Sequence, residues 1–349
     1  MNSFMKKNNL IKISLYAAIS LVSVAVLIFF LLFFSPNINV LGREKKHLFV
    51  LPNQSWEDVI SSLDKMNALT SETSFKFAIK LKYSKHKPQS GKYDIEPNLS
   101  NRYLLNRISY GLEDKIILRV YSARNTQSVA ANISKQLMLD STQIISAFLD
   151  KELLKKYGLD STNSLCLFIP TSKKVDWDIP MSSVLSMVEG AYKDFWNESR
   201  RKKAAKTGLT LAEIDILASI VEEETNDYED KEMVAGVYLN RLRRGIPLQS
   251  CPTVRFAIGD FTLNRILKKH LSIDSPFNTY IHKGLPPAPI RIPTKESIDA
   301  VLNFKQHNYL YICAKPDFSG THDYSRNYKE HSERAKVYQR KLDEKKIYN

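Results

Sequence analysis

The hydrophobic pattern opens on one unbroken block. No charged side chain lies between Lys12 and Arg43, and Leu15 to Phe34 is apolar apart from Tyr16, Ser20 and Ser23. A helix needs about 20 such residues to cross a bilayer core. A secretory signal has a shorter apolar core of about 7–15 residues and a small-residue cleavage site. This run ends on Leu31-Leu32-Phe33-Phe34, with no A-x-A pattern and no lipidation cysteine. The pattern predicts an uncleaved transmembrane anchor over 13–36 behind a tail of 1–12. A buried core helix is a poor alternative for so long a run at the terminus.

Beyond the block, short apolar alternations and helical spacings take turns. His47–Leu51 reads as a strand, and Ser55-Trp56-Glu57-Asp58 as a capping-box start for a helix with Val59, Ile60 and Leu63 on its apolar face. Gly91–Ile95 reads as a second strand. Ser100 caps a second helix carrying Tyr103, Leu104, Leu105 and Ile108, and Gly111 ends it. Two strand-helix units predict a small α+β module over 45–115. A larger α+β domain is expected over 116–345. It starts with a strand in Leu112–Val120, followed by a helix face of Val129, Ile133 and Leu137. Residues 173–180 read as a polar connection, and Arg200–Lys206 as a solvated helix face. Thr210-Leu211-Ala212-Glu213 is a capping box. A second helix runs from about Lys231 to Arg244 and stops at Gly245. Tyr309–Cys313 reads as a core strand, Gly320 to Ser325 as a hairpin, and a last helix carries His331.

Charge narrows the partners. The net charge is +14, which favours anionic partners such as nucleic acid, acidic headgroups or an acidic polymer. Lys6, Lys7 and Lys12 precede the apolar block without an acid, so the positive-inside rule keeps the N-terminus in the cytoplasm. Arg43, Lys45 and Lys46 pull the other way, with Glu44 among them. Residues after about 40 are expected outside, which removes intracellular nucleic acid as a partner. Cys166, Cys251 and Cys313 form no CxxC pair, so zinc-ribbon and thioredoxin-like chemistry is not expected. The histidines lack HExxH spacing, so no metal and no cofactor are expected.

The helix opened by Thr210 carries the candidate chemistry. At about 100° per residue, Ile214, Leu217, Ile220 and Val221 share one side. Glu224 projects onto the middle of that side, while Glu222 and Glu223 project away from it. A carboxylate on an apolar face is costly as an anion, and burial raises its pKa toward what a general acid needs. The competing reading makes all three glutamates a solvated helix end. Downstream, the stretches from Leu248 to Val254, Ser275 to Tyr280 and Gly284 to Ile290 are rich in proline, polar and aromatic residues. They suit a groove for a sugar polymer, or serve as structural turns.

The stretch Ala218-Ser219-Ile220-Val221-Glu222-Glu223-Glu224-Thr225 resembles the ASI(V/I)E-x-E-T signature of endolytic murein transglycosylases, the YceG-like family. The resemblance continues through Leu239-Asn240-Arg241-Leu242, Leu248-Gln249-Ser250-Cys251-Pro252-Thr253-Val254, Ser275-Pro276-Phe277-Asn278-Thr279-Tyr280 and Gly284-Leu285-Pro286-Pro287, with Tyr309-Leu310-Tyr311 and His322. The module at 45–115 resembles that family's LysM-like domain. Two departures stand out: Cys251 takes the place of an acidic residue, and Pro170-Thr171-Ser172 departs from a proline-acid/asparagine-Thr-Tyr/Trp element. The resemblance implies cleavage of the β-1,4 bond between N-acetylmuramic acid and N-acetylglucosamine, giving 1,6-anhydro ends on nascent peptidoglycan strands and so terminating their elongation. It implies Glu224 as the acid/base, with Glu222 as the fallback, and Glu222, Gln249, Asn278, Tyr280 and His322 as substrate contacts. Glycan strands, the membrane and cell-wall synthases are the implied partners. The anchored enzyme would lie on the outer side of the plasma (inner) membrane. A non-catalytic, membrane-anchored peptidoglycan-binding protein is the alternative, and a metal-dependent envelope hydrolase is disfavoured.

Overall fold

The computed structural model describes residues 2–40, 45–263 and 266–345, with the side chains of residues 2–10 outside it. The charges weighed at Lys6, Lys7, Arg43 and Glu44 therefore lie outside the described side chains. The chain is a mixed α/β protein that divides into two compact units. The first comprises residues 1–116 and 174–178. The second comprises 117–173 and 179–349.

The first unit begins with the helix Asn2–Phe34, whose segment Ile11–Phe34 is long and apolar enough to cross a membrane. The two expected strands pair antiparallel as Lys46–Val50 and Gly91–Ile95. Ser55 and Asp58 form the capping box of helix Trp56–Lys65. Ser100 caps Asn101–Tyr110, which stops at Gly111, a left-handed position with φ +63° that favours glycine. Two pieces have no counterpart in the sequence pattern, and a third is corrected. Pro36–Ile38 pairs with Leu99–Ser100. Helix Glu72–Ala78 continues into a wide turn over Ile79–Tyr83. The supposed polar connection after Lys173 is no mere link, because Lys174–Asp178 belongs to the first unit, where Trp177 packs on Phe49 at 4.8 Å and its N–H donates to Glu113. Linear polarity said nothing of this, since Trp177 is the one aromatic side chain in that stretch.

In the second unit the early helical region is three short helices, Thr126–Ser134, Ser141–Phe148 and Lys151–Lys156, each capped by an Asn or Asp. The centre is the helix Leu211–Glu224, opened by the Thr210–Glu213 capping box. Every residue from Ile214 to Val221 is buried, including Asp215 and Ser219. The predicted one-sided apolar face is thus corrected. Helices Glu198–Thr207, Tyr228–Arg243, Cys251–Ile258 and Lys295–Leu302 all pack against this one, so it has no solvent face along most of its length. Strands Tyr311–Ala314 and His322–Ser325 form the expected hairpin. Tyr311–Ala314 is half-buried throughout rather than core, because all four of its residues border a cavity.

Candidate active site

The central helix ends in three consecutive glutamates that go two ways. Glu224 lines a cavity of about 540 Å³ with Tyr238, Arg241, Gln249, Tyr280, Tyr311 and His322. Glu222 and Glu223 turn to the opposite side. The expectation that these two project toward a polar exterior is corrected: their side chains are only 8% and 11% exposed. Glu222 accepts the backbone N–H of Thr294, the N-cap of helix Lys295–Leu302, and lies 3.4 Å from Nε of Arg291. Glu223 accepts from Arg291 at 2.7 Å and from Arg124 at 2.8 Å. Two arginines brought from distant sequence make this side polar but closed.

Glu224 is half-buried, and its carboxylate accepts two hydroxyls at the same oxygen, Oε1. Tyr238 of helix Tyr228–Arg243 donates one, and Ser250 donates the other at 2.8 Å. Burial and the adjacent Glu224 charge push the Tyr238 hydroxyl well above its usual range, so it stays protonated and donates. Among the described residues no hydrogen bond falls on Oε2, which leaves that oxygen for a ligand. No other carboxylate lines the cavity among the described residues.

Ser250 is aimed by its loop. Gln249 holds a positive φ of 53°, uncommon for a non-glycine residue. Its N–H donates to the Thr279 carbonyl at 3.0 Å, and that of Ser250 to the Thr279 hydroxyl at 3.0 Å. The Gln249 side chain accepts from Arg241 at 2.6 Å. Asn278 is fully buried, its amide committed to the Leu271 and Ile273 carbonyls and its oxygen to the Tyr280 N–H. It builds the turn that presents Thr279 and is not among the cavity-lining residues. Tyr280 faces the cavity with its hydroxyl 3.4 Å from the Cys251 thiol.

His322 enters from the hairpin. Its Nδ1 lies 2.8 Å from Asp230 Oδ2, and the Tyr324 hydroxyl donates to Oδ1 of the same carboxylate. Burial alone would lower the His322 pKa, but the Asp230 hydrogen bond and the Glu224 and Asp230 charges outweigh it and raise it above its ordinary value. Burial would likewise raise Asp230, and its bonds to His322 and Tyr324 reverse this, holding it below the usual range.

Of the sequence candidates, Glu224, Gln249, Tyr280 and His322 meet at one cavity, whereas Glu222 and Asn278 hold the surrounding elements in place. Tyr238, Ser250 and Asp230 were not singled out. Ser250 stood inside a quoted motif, but a tyrosine in a helix reads as core and an acid in a first helical turn reads as dipole compensation. The loop Gly284–Ile290 lies off this cavity: Ile290 is buried, and its N–H donates to Ser219 on the central helix at 3.0 Å. Among the described residues no group of three His, Cys, Asp or Glu side chains is placed to hold a metal ion.

The model of the YceG-like family matches residues 48–337. An endolytic murein transglycosylase of Bacillus subtilis (strain 168) is 27% identical over 313 residues, covering 84% of this chain and 85% of its own length. Its counterpart from Streptococcus pneumoniae serotype 2 (strain D39) is 37% identical over 110 residues, 30% of this chain and 20% of that protein. The crystal structure of a YceG-like protein from Listeria monocytogenes aligns with a TM-score of 0.56 at 22% identity, covering 84% of this chain and 99% of the other.

Proposed function

This chain belongs to the YceG-like family, and on that premise we propose that it is an endolytic lytic transglycosylase that cleaves the glycan strands of peptidoglycan, with Glu224 as its acid/base. The observation that carries the reading is that Glu224 is the single carboxylate lining the cavity among the described residues. Glycoside hydrolases normally need two, about 5–9.5 Å apart, one of them to activate water or attack the sugar. One carboxyl group suffices when the nucleophile belongs to the substrate.

Glu224 Oε2 gives its proton to the glycosidic oxygen between N-acetylmuramic acid and N-acetylglucosamine as that bond breaks. The carboxylate left behind is stabilised by the Tyr238 and Ser250 hydroxyls already aimed at Oε1. Oε2 then takes the proton of the muramic acid C6 hydroxyl while its oxygen bonds to C1, closing the 1,6-anhydro ring. The nucleophile is tethered, so high effective molarity replaces a bound water. Gln249, Tyr280, Arg241 and His322, which line the cavity, contact the sugars. Glu222 and Asn278 support the site from behind.

The apolar segment Ile11–Phe34 anchors the protein in the membrane. Its leading lysines place the N-terminus in the cytoplasm and the remainder outside, next to synthases that extend nascent strands, so each cut ends an elongating strand. Protease added to spheroplasts should degrade the main domain, and full protection would reverse the orientation. The reaction is tested by mass spectrometry of digested strands. Anhydro ends are expected. Reducing ends would make the protein a hydrolase, and binding without new ends a non-catalytic anchor. Turnover should also persist in EDTA, since no metal-holding group is described; loss restored by zinc would revive the hydrolase.

A further inference from the structure

The junction between the apolar helix and the first unit has no linker. Along Ile11–Leu31 the helix is exposed, but Leu32 and Phe33 are 8% and 1% exposed and belong to the first unit's core, with Ile38, Phe75, Ala78 and Leu104. A polar clamp closes over this last turn. The Asn101 amide donates to the Leu32 carbonyl at 2.8 Å and to the Ser74 hydroxyl at 3.0 Å. Its oxygen accepts from Asn37 at 2.8 Å, and Asn37 in turn accepts the Ser71 N–H at 2.8 Å. Both asparagines are buried. The end of the apolar helix is therefore tied directly to the start of helices Glu72–Ala78 and Asn101–Tyr110.

That tie puts the outer surface of Glu72–Tyr83 beside the point where the helix would leave a bilayer. Phe77 and Leu81 stand there 51% and 55% exposed, with no described residue covering them. Lys76, Lys80 and Lys82 are exposed on the same run. Arg102 stacks its guanidinium on the Phe34 ring at 4.9 Å, at the last residue of the apolar helix. Glu72 is the run's single acid, and it pairs with Lys76. Apolar tips among cations, continuous with a spanning helix, match the chemistry of the headgroup–acyl boundary of an anionic membrane.

We propose that this face docks on the bilayer that the anchor crosses, with Phe77 and Leu81 inserted at the boundary and Lys80, Lys82 and Arg102 on anionic headgroups. The proposal rests on the anchor reading. Docking would add a second point of attachment to the clamped anchor and fix the tilt of the first unit at the membrane surface.

The test uses the full chain in vesicles of phosphatidylcholine and phosphatidylglycerol with brominated acyl chains. V24W, F77W and L81W are each read against the parent, whose Trp56, Trp177 and Trp196 set the background. Bromine should quench the added emission of all three, and Lys80→Glu with Lys82→Glu should weaken quenching at position 77 but leave position 24 unchanged. Quenching of V24W with no added quenching of F77W or L81W would overturn the docking face while keeping the anchor. Absence of quenching at V24W would overturn both.

Discussion

At Glu224 the decisive contacts are two hydroxyls on one oxygen. Glu224→Gln keeps the shape and removes the proton that the proposed reaction transfers, so release of anhydro ends should fall about 10²–10⁴-fold or further, with the melting temperature retained. Tyr238→Phe and Ser250→Ala each remove one donor to a developing carboxylate. Charge-assisted hydrogen bonds are worth about 1.5–3 kcal/mol, so each should lower kcat by roughly 10–100-fold, with KM little changed. If both variants turn over like the parent, the hydroxyls do not stabilise the carboxylate.

Asp215 is a different kind of acid. It is buried on the same helix with neither oxygen hydrogen-bonded, and burial pushes its pKa well above the usual carboxylate range. Its folded value exceeds its unfolded one, so the native state keeps a proton that the unfolded chain releases. Stability is then lost as pH rises from about 4 toward the folded pKa, by about 1.4 kcal/mol per pH unit. Asp215→Asn does not titrate, so its melting temperature relative to the parent should climb with pH above that onset. A difference constant with pH would place the Asp215 pKa at the same value in both states.

The central helix works as an element because its last turn is held from both sides. Glu222 and Glu223 bind Arg291, Arg124 and the N-cap of Lys295–Leu302, and the Arg291 Nε donates onward to Ser122 at 2.8 Å. Arg291→Ala would take one partner from each of two largely buried carboxylates, leaving Glu223 to Arg124 and Glu222 to the Thr294 N–H. The Arg291 side chain is 29% exposed, which discounts the loss to about 1–3 kcal/mol. Both melting temperature and kcat should fall, because Glu224 sits one residue beyond the clamp. Glu222→Gln keeps the Thr294 contact and should cost less on both measures. Unchanged melting in Arg291→Ala would remove the clamp from the account. In its capping box and in its glutamate triplet this helix was legible in the sequence. Its burial on every side was not, because Ser219 and Asp215 break the apolar pattern and are buried nonetheless.

In the whole molecule the anchor is also a structural part of the first unit. Phe33→Ala in the full chain should destabilise that unit by about 3–5 kcal/mol, seen as faster hydrogen exchange over residues 46–110. A chain lacking residues 1–35 should leave the membrane fraction and melt lower for the same reason. Exchange unchanged in Phe33→Ala would mean that the last turn only rests on the core. This coupling is hidden in the hydrophobic pattern, since Leu32 and Phe33 look no different from the lipid-facing residues before them.

The sequence by itself determined what depends on local chemistry. A block of apolar residues longer than any turn forms a spanning-length helix, and hydroxyl and carboxylate caps set helix starts at Ser55, Ser100 and Thr210. An ordered series of motifs singled out Glu224. Tertiary structure alone decided which polar side chains meet. Glu224 and Tyr238 lie 14 residues apart, Glu224 and Ser250 26, and His322 reaches Asp230 across 92. Periodicity gives the direction of a side chain around its own helix. It contains nothing about what the neighbouring element brings, which is why Glu222 and Glu223, projected only as away from the apolar side, lie against arginines.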